Sequence, residues 1–162
     1  MNTRVGRFRP PNDTKAAFVY CVQSSLRLVV GFGFMMHGAA KLSRGADSFS
    51  QILNALHVPL PGLVAWATIL VELLGGLAIL MGTCIHLVSV PLAAVLLGAI
   101  FSVHLQNGFS SIKLLAATSA GPEFGPPGFE CPLLYLVCLA NLVVGAPRSL
   151  SIGRFLRRLG KE

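Results

Sequence analysis

The stretch Leu60–Met81 reads LPGLVAWATILVELLGGLAILM, 22 residues with one formal charge, Glu72. A helix of that length rises about 33 Å at 1.5 Å per residue, enough for the hydrocarbon of a bilayer. A three-residue turn, Gly82–Cys84, follows, and then a second apolar run, Ile85 to Leu105, with no formal charge. Two such runs on so short a turn predict a hairpin of membrane-crossing helices.

Working outward, Ala16 to His37 is a third apolar run whose only formal charge is Arg27, and Pro132 to Ala146 is a fourth, short and uncharged, with a start expected near Phe129. Composition agrees. Of the 162 residues 54% are hydrophobic and 12% charged, and the mean hydropathy is +0.72. Soluble domains carry about 25% charged residues. The expected fold class is all-α: an integral membrane four-helix bundle over 16–146, between a basic tail at 1–15 and a basic tail at 147–162.

The net charge of +7 could suggest nucleic acid, but its placement argues otherwise. Arg4, Arg7, Arg9 and Lys15 precede the first run, and Arg148, Arg154, Arg157, Arg158 and Lys161 follow the last, nine of the 13 basic residues. Cations flanking apolar spans follow the positive-inside rule. An even number of spans puts both termini on one side, and the basic tails choose the cytoplasm. The first run is longer than the apolar stretch of a cleaved signal peptide, about 7–15 residues, so an uncleaved signal anchor is expected. In the last segment Ile152, Phe155, Leu156 and Leu159 share a helical face opposite the arginines, the pattern of a short helix on the inner leaflet.

Charges inside apolar spans are expensive and mark contacts or sites. Counting from the predicted span ends, Arg27 and Glu72 fall at similar depth and are expected to face each other in the bundle. His37 and Lys41, four apart at the outer end of the first span, share a face. His104 ends the third span, with Asn107 after it and Glu130 at the start of the fourth. These residues form a candidate set of ligand-binding or proton partners around a polar pocket. No His-x-x-x-His or similar spacing supports haem or a metal ion. Cys21, Cys84, Cys131 and Cys138 contain no C-x-x-C and are expected to be small buried groups. Gly31, Gly33, Gly38, Gly75 and Gly76, and the pair Ala94/Gly98, are expected to let helices pack closely.

Several of these residues form an ordered pattern: Leu26-Arg27-Leu28, Gly31, His37-Gly38 and Lys41-Leu42; then Phe49, Pro59 and Pro61; Glu72-Leu73-Leu74-Gly75-Gly76 with Gly82; His104 and Asn107-Gly108-Phe109; Gly128-Phe129-Glu130; and Ser149-Leu150. In this order and spacing the chain resembles the DoxX family of small four-helix membrane proteins. It departs in the Pro-rich stretch Gly121–Gly128 and at Ser151, where the family carries an acid. The resemblance implies a membrane subunit of a respiratory or other electron-transfer assembly in a bacterial inner membrane. Such a subunit would face a quinone, and any activity would belong to a quinone-linked oxidoreductase rather than to this chain alone. Two rivals stand beside it: a non-catalytic structural or assembly subunit of a larger membrane complex, and a small transporter. The lack of inverted repeats weighs against the transporter.

Overall fold

The computed structural model describes residues 14–119 and 121–145. The tails beyond them, including the expected surface helix and Ser149 to Ser151, lie outside the described residues. Among the described residues five α-helices form: α1 (Thr14–Ser43), α2 (Ala46–Ala55), α3 (Pro61–Met81), α4 (Ile85–Ala99) and α5 (Glu130–Gly145). α4 runs on through a π-helical turn, Ile100–His104, and a 3-10 turn, Leu105–Asn107. Between it and α5 lies an antiparallel hairpin, β1 (Leu114–Thr118) and β2 (Gly121–Phe124).

The boundaries have local causes. Pro61 sits in the first turn of α3, where its missing N–H costs nothing. At the other end Gly82, at φ 70°, turns left-handed, so that its N–H reaches Ile79 O and the Thr83 N–H reaches Ala78 O. That is a Schellman closure, and it satisfies carbonyls the helix would otherwise leave open. Cys84, also left-handed at φ 50°, then starts α4. Gly45, at φ 91°, separates α1 from α2.

α1 packs on α3, α3 on α4, α4 on α5 and α5 back on α1, closing a four-helix ring, while α2 lies against α3. Val30 and Phe34 of α1, Ile79 of α3, Ile85 and Leu92 of α4, and Leu139 and Leu142 of α5 meet in the core. The outer surface is apolar: Phe32, Leu74, Val90, Phe101 and Val144 are all exposed. An apolar patch that encircles a protein suits lipid, not water. α1 from Phe18, α3, and α4 with its extension to Asn107 are long and apolar enough to cross a membrane. α5, with 16 residues, spans about 24 Å, below the ~30 Å hydrocarbon thickness. The chain is thus a multi-pass, all-α membrane protein.

The structure corrects several expectations. α1 reaches Ser43, six residues past the expected end at His37. The loop after it contains α2, with Ala46 and Leu53 buried, and the long outer loop contains the hairpin, whose residues are nearly all exposed. Cys21, Cys84 and Cys131 are exposed rather than buried. A Cβ at Gly98 would meet nothing within 4 Å, so the Ala94/Gly98 pair packs against no helix among the described residues.

Candidate functional site

α1 and α3 run antiparallel, and glycines set their register. A Cβ on Gly31 would lie 2.8 Å from Gly76 O, and one on Gly76 would lie 2.7 Å from Gly31 O. The two backbones therefore touch. Further along, a Cβ on Gly38 would lie 2.9 Å from Leu73 Cγ and 3.2 Å from Glu72 Cβ. Gly38 thus brings α1 close to Glu72, and Lys41, about one turn beyond, reaches across.

Lys41 Nζ donates to Glu72 Oε1 at 2.5 Å. The Glu72 side chain is 6% exposed and that of Lys41 26%. The ammonium also stands 5.1 Å from the Phe49 ring centre, so the cluster ties α1, α2 and α3 together. A carboxylate in so apolar a setting is tolerable only when paired. Its second oxygen, Oε2, is buried and has no hydrogen-bond partner among the described residues. Buried polar atoms are seldom left so, which marks Oε2 as an open acceptor in the bundle.

Arg27 does not meet Glu72. It stands beside Gly82, where a Cβ would lie 2.7 Å from its Nη1. Gly82 is ten residues past Glu72, about 15 Å along α3. The expected pairing assumed that the first span starts level with the end of α3. Instead α1 overhangs that end by 13 residues, from Thr14 to Arg27, or about 20 Å.

His37 shares a face of α1 with Lys41 but has another neighbour. Its exposed ring makes an edge contact with Tyr135 of α5, centroids 5.9 Å apart, and Phe34 makes a similar contact at 5.4 Å.

The remaining candidates form a separate unit at the loop end. His104 Nδ1 lies 3.0 Å from Pro127 O, and Asn107 Nδ2 donates to Val103 O at 3.2 Å and Pro127 O at 3.4 Å. Lys113 donates to Asn107 O. The N–H groups of Gly128, Phe129 and Glu130 donate to the carbonyls of Ser110, Gly108 and Phe109. The Glu130 carboxylate accepts from the Ser111 N–H at 3.0 Å, and the Cys131 N–H donates to Ser111 Oγ at 3.2 Å. Phe109 and Phe129 meet edge to face at 5.4 Å. The start of α5 is therefore capped by the loop that leaves α4. Glu130 and Cys131 have their acceptors, Pro132 has no N–H, and the Leu133 N–H returns to Phe129 O. Gly128 is crowded by the carbonyls of Gly108, Phe109 and Ser110, leaving no room for a side chain. His104, Asn107 and Glu130, expected at the rim of a pocket, instead hold backbone.

Among the described residues no group of three or more His, Cys, Asp or Glu side chains could hold a metal ion. Sequence reasoning did not single out Phe49 or Tyr135 as site residues. Phe49 carried a signal, since it lies in the ordered pattern with Lys41 and Glu72; Tyr135 carried none.

The DoxX family model matches residues 22–105, just over half of the chain, from within α1 through α4, including Arg27, Lys41 and Glu72. The chain belongs to the DoxX family. It is similar to a protein of Bacillus subtilis (strain 168) named "Putative oxidoreductase CatD", 32% identical over 84 residues, which cover 52% of this chain and 60% of the relative. The chain thus spans less than two thirds of that relative's length. No solved structure matches this DoxX chain.

Proposed function

We propose that this DoxX protein crosses a bacterial inner membrane four times, with both termini in the cytoplasm, and serves as a subunit of an electron-transfer assembly. Its Lys41–Glu72 cluster is the part that faces a quinone. The observation that carries the site is Glu72 Oε2, a buried carboxylate oxygen without a partner among the described residues, next to the Lys41 amine. The cationic tails support the orientation, and the oxidoreductase name of the Bacillus subtilis relative supports the redox setting.

The residues present suit a quinone carbonyl. A quinone supplies the ring that takes up electrons and protons. Lys41 can share its donors between Glu72 and a carbonyl oxygen. Glu72 Oε2 can hold a proton close to it, as a general acid or base must. His37, one turn before Lys41 on α1 and against Tyr135, offers a further donor.

The test is purification in mild detergent, with quinone extraction and identification of associated proteins. The proposal expects a redox partner and bound quinone, with the quinone lost in Glu72→Gln and Lys41→Met variants that still purify intact. Equal quinone content in both variants would refute the site. Migration as a lone chain would refute the subunit.

A second reading has its own observation. Lys41 binds Glu72 and lies over Phe49, a clamp across three helices. A purely structural subunit would need no more than that. Under this reading the Lys41→Met and Glu72→Gln variants lose thermal stability while quinone is absent from the wild type as well.

A further inference from the structure

The strands β1 and β2 contact each other and are not packed into the helix ring. Every residue of β1 is exposed, as are Pro122, Glu123 and Phe124 of β2. A two-stranded hairpin is marginally stable at best in water and is steadied when an apolar face is covered.

This hairpin has such a face. Residues paired across an antiparallel ladder project to the same side of the sheet, and successive pairs project to opposite sides. Leu114 pairs with Phe124 and Ala117 with Pro122, whereas Ala116 pairs with Glu123 and Thr118 with Gly121. The irregularity between Leu114 and Ala116 takes Leu115 out of the alternation. Leu115 lies instead against Gly125, where a Cβ would stand 3.3 Å from its Cδ2. Leu114, Ala117, Pro122 and Phe124 therefore share one face, which carries no polar side-chain atom. Ala116, Thr118 and Glu123 share the other.

The position narrows what covers the apolar face. The base of the hairpin is fixed where α4 ends and α5 begins, because the Gly125 N–H donates to Lys113 O at 2.8 Å and the Gly128 N–H to Ser110 O at 3.0 Å. Lys113 turns its ammonium back to Asn107 O, so it adds no free cation to the hairpin. Exposed apolar side chains continue from the lipid-facing surface of the α4 extension towards β1, at Phe101, Leu105, Phe109 and Ile112. A protein partner is recognised by hydrogen-bonding groups as well as by apolar area, whereas lipid chains need none. The two outer edges of the hairpin set the depth. Their unpaired backbone N–H and C=O groups find no partner in hydrocarbon and do find water among the headgroups.

We propose that the β1–β2 hairpin lies in the membrane interface at the loop end of the bundle. Its Leu114, Ala117, Pro122 and Phe124 face is sunk to the boundary of headgroups and acyl chains, and its Glu123 side faces water. The arrangement is the strand counterpart of an amphipathic helix lying in the interface. It fixes the level at which α4 leaves the bilayer and α5 enters it.

The experiment is tryptophan quenching in the full-length protein, with the single native tryptophan removed as Trp66→Phe. The protein is placed in phosphatidylcholine nanodiscs whose acyl chains carry bromine near the headgroup or near the chain end. Leu114→Trp and Phe124→Trp each report the apolar face, so one carries the test if the other fails to fold. Thr118→Trp reports the opposite face. Leu114→Trp and Phe124→Trp are expected to lose emission to lipid bromine, more to bromine near the headgroup, and to be shielded from aqueous iodide. Thr118→Trp is expected to lose emission to iodide. Iodide quenching of the apolar-face reporters as strong as that of Thr118→Trp would leave the face in water and overturn the proposal. Shielding from both iodide and lipid bromine would mean that protein, a second copy or another chain, covers the face, and would overturn it too. Stronger quenching by bromine near the chain end would place the hairpin in the hydrocarbon, with the same consequence.

Discussion

Lys41 Nζ lies 2.5 Å from Glu72 Oε1, joining the last turn of α1 to the middle of α3 inside an otherwise apolar bundle. Removing one partner strands the other. Lys41→Met leaves a buried carboxylate unpaired and is expected to cost about 3–5 kcal/mol. Thermal unfolding in detergent, followed by loss of helical signal, checks this. A melting temperature unchanged from the wild type would mean that the pair is exposed or absent.

The backbone contact at Gly31 and Gly76 has no space for a methyl group, whereas Gly98 has nothing within 4 Å. Gly76→Ala is therefore expected to destabilise by about 1–3 kcal/mol through forced helix separation. Gly98→Ala, by contrast, should be neutral or slightly stabilising, because Ala favours the helix by roughly 0.8–1.0 kcal/mol over Gly. The same melting experiment run on both variants separates the two positions, and similar losses would count against the register described.

At the loop end Gly128 sits among three carbonyls that cap α5. Gly128→Ala is expected to open that cap and expose the segment between α4 and α5 to protease, while the transmembrane core stays folded. Limited proteolysis of reconstituted protein, read as the rate of cleavage between residues 108 and 130, measures it. Glu130→Gln keeps an acceptor for the Ser111 N–H and should cleave at near wild-type rate.

The exposed thiols report the proposed orientation. Cys84 lies at the α3–α4 turn, at the end of the bundle where α1 begins and α5 ends, and Cys131 at the loop end. In intact cells whose outer membrane is permeabilised, a membrane-impermeant maleimide should label Cys131 and spare Cys84, each tested as the sole cysteine. The opposite pattern would place the tails outside.

The spans were legible because hydropathy reports burial in lipid directly: the stretch read as Leu60–Met81 is α3 from Pro61 to Met81. Relative height was not. Nothing in the apolar pattern says that α1 overhangs α3, and so Arg27 was matched to Glu72 when Lys41 holds that place. α2 hid among Asp47, Ser48, Ser50, Gln51 and Asn54, a polar stretch whose buried side is only Ala46 and Leu53. The hairpin had no alternation to read, since almost all of its residues are exposed. His104, Asn107 and Glu130 looked like pocket residues because ionisable and amide groups at a helix end serve either a ligand or the backbone, and the sequence does not say which.

The most direct test of the account is a pair of double-mutant cycles on thermal stability in detergent, one over Lys41→Met and Glu72→Leu, the other over Arg27→Met and Glu72→Leu. Groups in contact couple by about 0.5–3 kcal/mol, and distant ones add within about 0.3–0.5 kcal/mol. The first cycle should show the coupling, with the Lys41/Glu72 double variant more stable than either single one, and the second should be additive. Coupling between Arg27 and Glu72 with none between Lys41 and Glu72 would contradict the arrangement of the bundle described above.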